Sequence, residues 1–342
     1  MSVLLSGLLH IYGPPGSGKT FAALTACDDP NKIIFLDGGA SKSKDIVTGL
    51  GVKEYHDLTA IGIGKTEVQY HQEMLKLIKS LPNNMELLVL DTPAEFFKSG
   101  HSYVAMHRTD FRERWSSMGA IAGPQEWQEL RKTHFPRVYT QLLSKAELVI
   151  VVTHEKAQSD AGVKTGATIP DADTSLRTEA GIVIRIGRNT RSPDQPAPIG
   201  LVIKNAGTVD LQKRQIVRMF PDRIAPFTWT KVAEYIKNPI GDREPTAEER
   251  PDEFEYHLIS GTLNPEQAKI YQWRRTIAAQ QIEENLAQDV LDMAEEFSAV
   301  TNSILKQTKI VSALQETYPG LTNDRVQEIL ASAVEAALEA SE

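Results

Sequence analysis

Eight residues near the N-terminus restrict this chain more than any others: Gly13-Pro14-Pro15-Gly16-Ser17-Gly18-Lys19-Thr20, a complete G-x-x-x-x-G-K-[ST]. An apolar run, Leu8 to Tyr12, precedes it, and a helix-competent stretch, Thr20 to Ala26, follows. Strand, glycine-rich loop and helix in that order gather backbone N–H groups and the positive end of a helix around one anion. Lys19 can then reach β- and γ-phosphates, and the Thr20 hydroxyl suits Mg²⁺. The expectation is a nucleotide-binding α/β fold in which all eight residues hold ATP. A glycine-rich turn with an incidental Lys-Thr is the bland alternative, and the flanking strand and helix weigh against it.

The rest of the first 230 residues fits that frame. Lys32 to Leu36, Leu87 to Leu90, Leu148 to Val152, Ile182 to Ile186 and Ile199 to Asn205 are short apolar runs, separated by helical stretches. Residues 66–80 place Val68, Met74, Leu75 and Ile78 near one helical face and end at Leu81-Pro82-Asn83-Asn84. Strands apolar throughout and alternating with helices predict a mostly parallel sheet buried on both faces. A helix is expected over 124–145, broken or kinked at Pro136. Asp91 closes the Leu87–Leu90 run, where a Walker-B aspartate would hold the metal through water. A strand-ending Asp is also a common turn residue, and the upstream loop is what favours the first reading.

The wording of the loop is frequent in AAA+ ATPases. Those usually place Glu directly after the Walker-B Asp and a polar sensor, commonly Asn, on the next core strand. Here Thr92-Pro93 and Thr153-His154-Glu155 stand instead. A GxxGSGKT loop, a strand ending in Asp37-Gly38-Gly39, the Asp91 strand, Val-Val-Thr-His-Glu and a late Val-Ile-Lys-Asn together resemble the compact RecA-like ATPases of bacteriophages, associated with single-strand DNA annealing and recombination. The resemblance covers about residues 3–230.

It implies a RecA-like P-loop core that binds and hydrolyses ATP with Mg²⁺, across the subunit interface of a homo-oligomer. His154 would take the place of a γ-phosphate-sensing glutamine, and Ala157 to Ser175, with Lys156, Gly162, Lys164 and Gly166, that of a mobile DNA-binding loop. Lys204 would match a lysine inserted into the neighbour's ATP site. RecA-like enzymes place a catalytic Glu two residues after the aspartate of the second strand, where this chain has Gly39. Asp37 itself, Glu155 or Glu95 could orient the water. His154 also fits a structural histidine, Glu155 a solvated carboxylate and Lys204 a surface lysine. Arg185, Arg188 and Arg191 fit either an arginine finger or a solvated strand and turn.

Composition bears on the partner. The formal charge is -8, but residues 231–342 hold 10 Lys+Arg against 21 Asp+Glu, while residues 1–230 hold 27 against 24. The basic half can approach a polyanion that the acidic half would repel. His107, Arg108, Phe111, Arg112, Arg114 and Trp115 interleave cations with aromatics, as a groove for unpaired bases would, or as a helix with Phe111 and Trp115 in the core. Single-stranded DNA is the expected partner. Two rivals stand beside it: a P-loop kinase acting on a nucleoside or nucleotide, and a non-DNA switch or assembly ATPase acting through its helical tail.

Three domains are expected: a core over 1–238, a charged Pro-containing linker over 239–262 and an acidic helical region over 263–342. Truncation near residue 240 should then leave the core folded. Leu286, Val290, Met293, Phe297, Val300 and Ile304 recur at spacings of 4 and 3, the seam of a coiled coil or helical hairpin that could bind itself or a protein partner. Thr322 or Asn323 should cap the last helix. One cysteine, Cys27, excludes an intrachain disulfide and is expected in the core of the first helix. With no apolar run near 20 residues and no basic leader, a cytoplasmic protein without membrane association is expected, in a host cytoplasm if phage-encoded.

Overall fold

The structure, a computed structural model, describes residues 5–39, 43–107, 128–160, 163–188, 198–205, 207–210, 215–252, 255–256, 284–314 and 321–339. The chain divides into two compact units, Met1–Gly187 with Pro198–Ala268, and Arg188–Ala197 with Lys269–Glu342. The first opens with β1 (Gly7–Gly13) and α1 (Lys19–Leu24), then β2 (Ile33–Asp37), α2 (Lys44–Gly49), β3 (Glu54–Asp57), α3 (Leu58–Gly62) and α4 (Glu67–Ser80). There follow β4 (Met85–Asp91), α5 (Ala94–His107), α6 (Phe135–Leu143), β5 (Ala146–Asp160), β6 (Val163–Pro170), α7 (Thr174–Glu179) and β7 (Ile182–Gly187). The unit closes with β8 (Ile199–Lys204), β9 (Gly207–Asp210), β10 (Gln215–Arg218), β11 (Arg223–Ile224) and α8 (Trp229–Lys237).

The central sheet runs β11-β8-β7-β1-β5-β4-β2-β3, parallel from β7 to β3, with β8 and β11 added antiparallel at one edge. Its middle strands are buried on both faces because helices cover both. Leu8, Tyr12, Leu88, Leu90, Val149 and Val151 pack under α4, α5, α6 and α7, and Leu9, Ile11, Val89, Ile150 and Ile184 pack under α1, α2 and α8. Each large aliphatic side chain so buried contributes roughly 1.5–3 kcal/mol. The result is the expected α/β class: a mostly parallel central sheet with flanking helices, followed by C-terminal helices.

Local signals account for the boundaries. Thr66 and Gln69 form a reciprocal capping box at the start of α4. Ahead of α6 the chain makes a π-turn over Leu130–His134, and Pro136 sits in the first turn of α6. Proline lacks an N–H, and its ring crowds the carbonyl four residues back; the wider turn absorbs both, so the helix neither stops nor sharply breaks. β3 went unread in the sequence because Glu-Tyr-His-Asp is an edge strand, half-buried along its whole length.

The segment expected as a linker is packed into this unit. Ile240 is buried, and Glu249 accepts bonds from Arg243, Tyr235 and the Thr246 N–H. Glu255 and Arg223, 2% and 4% exposed, form an ion pair at 3.0 Å. Arg243, Glu249 and Glu255, among the charges that made 239–255 look solvated, are partners for one another, for Tyr235 and for β11, while Asp242, Glu244 and Glu248 are exposed.

In the second unit a helix over 284–296 (α9) is followed by α10 (Ser303–Leu314) and α11 (Asn323–Glu339). Leu286, Val290, Ile310, Leu321, Val326 and Ile329 form its core. The seam is not one continuous helix: α9 ends before Phe297, and Ile304 is 70% exposed. Thr322 caps α11, accepting from the Arg325 N–H. Among the described residues no helix is long and apolar enough to cross a membrane.

Candidate functional site

The carboxyl ends of β1, β2, β4 and β5 stand side by side, with Asp37 level with Asp91, Asp91 with Val152 and Gly13 with His154. Ligands of open parallel sheets bind beyond such ends. Gly13 is required where β1 turns into the loop: its φ is 153°, and a Cβ there would lie 2.1 Å from the Ile186 carbonyl oxygen. The loop then curls over α1, whose second residue is Thr20.

Thr20 donates its hydroxyl to Asp91 Oδ2 at 2.7 Å, which joins the loop to the end of β4. Asp91 is buried and takes two more hydroxyls, from Ser43 to Oδ2 at 3.1 Å and from Thr92 to Oδ1 at 2.9 Å. A hydroxyl and a carboxylate converging in this way are hard oxygen donors suited to Mg²⁺, which is commonly held by one or two protein oxygens plus substrate phosphates. Among the described residues no set of three or more His, Cys, Asp or Glu forms a self-sufficient metal site. Lys19 is buried and donates to the Pro14 carbonyl at 2.6 Å. Burial lowers its pKa; the charges of Asp91 and Glu155 act against that, and Arg185 adds to it.

Asp37 is fully buried and fixed at both oxygens, by the Gly39 N–H at 2.8 Å and the Tyr55 hydroxyl at 3.0 Å. Burial raises its pKa above the usual carboxylate range, the two hydrogen bonds lower it, and the Asp91 and Asp57 charges raise it further. Gly38 is needed because a Cβ there would lie 2.4 Å from the Thr92 carbonyl oxygen. Thr92 itself has φ 50°. A β-branched residue in the left-handed region is strained by roughly 1–2 kcal/mol, and here its amide is held by the Val152 carbonyl at 2.8 Å.

Of the other expected residues, His154 lies beside the start of the loop, its carbonyl accepting from the Asp171 N–H at 2.7 Å. Glu155 is not a solvated carboxylate: its Oε2 accepts from Arg185 Nε at 2.9 Å, and Arg185 Nη2 lies 2.9 Å from the same oxygen. Arg185 is correspondingly buried, so it is neither a solvent-facing residue nor displayed for a neighbour, and Arg188 is exposed. Glu95 is exposed at the start of α5. Lys204 is level with Val183, and Val183 with His10, which puts it toward the far end of the sheet from the loop. There it donates to the Arg177 and Thr178 carbonyls and closes the end of α7.

Residues 157–175, expected as a loop, begin as a hairpin in which β6 runs antiparallel to β5 with a bulge between Ala157 and Ser159. Arg108 to Trp115 and Arg191 lie outside the described residues; His107 ends α5, bonded to the Tyr103 carbonyl. A cavity of 530 Å³ adjoins the hairpin, lined by Lys98, Arg131, Lys156 and Arg177 and by Glu67, Asp171 and Asp173 around Phe97 and Pro170; three of the four cations pair with those carboxylates. Sequence reasoning missed Ser43, whose only signal was its place at the start of a helix after Asp-Gly-Gly.

Fold and site define a P-loop nucleotide-binding protein. More particularly, the chain belongs to the AAA domain family AAA_24, whose model matches residues 8–245. Membership coexists with the two departures from the AAA+ pattern: Thr92 follows Asp91, and Thr153 bonds His10 at 2.9 Å. No curated protein matches the sequence. Among solved structures, the chain is similar to the RadB recombinase at 15% identity and a TM-score of 0.33, over 63% of this chain and 89% of that one.

Proposed function

We propose that this chain is a Mg²⁺-dependent ATPase of the RecA-like kind whose nucleotide state controls a grip on single-stranded DNA. The observation that carries the ATPase reading is the 2.7 Å bond from Thr20 to Asp91 at the mouth of the Gly13–Thr20 loop. Loop N–H groups and Lys19 bind the phosphates, and Thr20 and Asp91 hold the metal, which supplies charge neutralisation on the phosphate oxygens. His154 would sense the terminal phosphate; of the carboxylates offered for the water, Glu155 is engaged by Arg185 and Asp37 by Gly39 and Tyr55, while Glu95 is exposed.

The DNA part is supported by the cavity at the foot of the hairpin, where Lys98, Arg131, Lys156 and Arg177 outnumber Glu67, Asp171 and Asp173 and an aromatic ring, Phe97, stands in the wall. Lys156 there is exposed and paired with Asp171 at 2.7 Å, a surface pair of little intrinsic strength that a phosphate can displace. The test is ATP turnover with and without single-stranded DNA, read beside the oligomeric state. Stimulation by DNA supports the reading. Replacing Lys156 and Lys164 should reduce the slope of affinity against salt by about one per lost phosphate contact. An unchanged slope would remove the hairpin from the interface.

One observation favours a second reading, phosphoryl transfer to a small acceptor: a 270 Å³ cavity bordered by Gly38 and Thr92 lies next to Asp91. Appearance of a phosphorylated nucleoside or nucleotide in place of free phosphate would select it.

A further inference from the structure

We propose that Arg185 and Glu155 form a positioning pair that ties the nucleotide site to the β5–β6 hairpin within one chain. The inference rests on the ATP-binding reading above.

Three strands make the connection. Arg185 on β7 is level with Tyr12 of β1, and Glu155 on β5 is one residue beyond the partner of Gly13. The two side chains therefore meet from opposite sides of β1, where it enters the phosphate-binding loop. Both are deeply buried, at 2% and 7% exposed. Glu155 Oε2 accepts from Arg185 Nε at 2.9 Å and from the Thr168 hydroxyl at 3.2 Å, and Arg185 Nη2 lies 2.9 Å from the same oxygen. Thr168 belongs to β6, so one carboxylate oxygen joins the core strand β7 to the returning arm of the hairpin.

The pair also lies within the electrostatic field of Lys19. A terminal phosphate drawn to Lys19 adds negative charge in that field. It attracts the Arg185 guanidinium and repels the Glu155 carboxylate, which weakens the bonds they share in a buried, poorly screened setting. Any shift of the carboxylate is felt at Thr168, and through it by the strand whose Ile169 and Pro170 border the cavity of mixed charge. Among the described residues the phosphate reaches the returning arm of the hairpin by way of charge and the Thr168 hydroxyl, within one chain.

Thr168→Val tests this with little risk to the fold, because it removes the hydroxyl and keeps the ion pair. In the full-length wild type, a non-hydrolysable ATP analogue should change amide hydrogen exchange over residues 156–170 by about fivefold relative to ADP, the lower range of ordinary coupling. In Thr168→Val the analogue should bind as in wild type while that difference disappears. A variant with the full difference overturns the proposal, as does a wild type that binds the analogue with no change in the hairpin. The double variant Glu155→Gln/Arg185→Gln removes both charges together. In it the analogue should still bind, through the loop and Lys19, but should no longer change exchange over residues 156–170 relative to ADP, a nucleotide-dependent difference that a merely structural pair would not carry; a retained difference counts against the coupling. If wild type binds no nucleotide, the ATPase reading falls, and this inference falls with it.

Discussion

At the scale of single residues, the placement of Lys19 and Asp91 was legible because it follows from local order: loop, helix, then an aspartate closing an apolar strand. Lys19→Ala removes the one ammonium inside the loop, and nucleotide binding measured by calorimetry should drop at least about 100-fold, in line with losing a charge-assisted phosphate contact. Full retention would discard the site. Ser43 was not legible, because its bond to Asp91 spans 48 positions. Ser43→Ala leaves Asp91 one donor short but still bonded to Thr20 and Thr92, so the cost to stability should be about 1 kcal/mol, read from denaturant unfolding. The Arg185–Glu155 pair was hidden for the same reason: its members are 30 residues apart, and each alone reads as an ordinary surface charge.

At the scale of elements, apolar strands announced themselves, and polar or edge strands such as β3 and β6 did not. The layer of α4, α5 and α6 holds a further feature that periodicity cannot show. His71 Nε2 lies 2.8 Å from His134 Nε2, and His71 Nδ1 lies 3.0 Å from Ser99 Oγ, among Phe96, Tyr103 and Phe135. Burial, reinforced by the His134 charge, takes His71 down to about 3, and burial with the Arg137 charge takes His134 down to about 4. Both are neutral when folded, whereas in the unfolded chain they gain protons below about 6.5. The unfolded state then binds more protons, so stability is complete above pH 6.5 and falls as the pH drops from 6.5 toward 4. His71 alone should cost roughly 2 kcal/mol at pH 5. Melting followed at pH 7.5 and pH 5 should show a lower midpoint in acid, and a smaller drop in a His71→Gln variant that still folds. Equal drops in both proteins would mean that the pair does not set the acid sensitivity.

At the scale of the whole molecule, the charge asymmetry of the sequence persists, but its boundary moves. Composition placed the break at the proline-rich stretch after residue 238, since prolines and charges there read as solvated linker. The structure assigns that stretch to the nucleotide-binding unit, because two of its carboxylates are taken up internally: Glu255 pairs with Arg223, and Arg243, Tyr235 and Thr246 converge on Glu249, whose pKa the Arg243 guanidinium, as the leading cause, holds down at about 2. Removing everything after residue 240 would take from Arg223 both the Glu255 carboxylate and the Glu248 carbonyl, and breaking a buried ion pair from one side typically costs about 3–5 kcal/mol. For a domain whose total stability is of order 5–15 kcal/mol, that loss is enough to threaten folding. Two truncations separate the alternatives. A chain ending at residue 268 should retain nucleotide binding and a cooperative melt close to that of the full protein, and one ending at residue 240 should melt much lower or accumulate as aggregate. If both behave alike and remain folded, the segment is a linker after all and the Arg223–Glu255 pair contributes little. If both fail, the acidic helices are part of what holds the nucleotide-binding fold together.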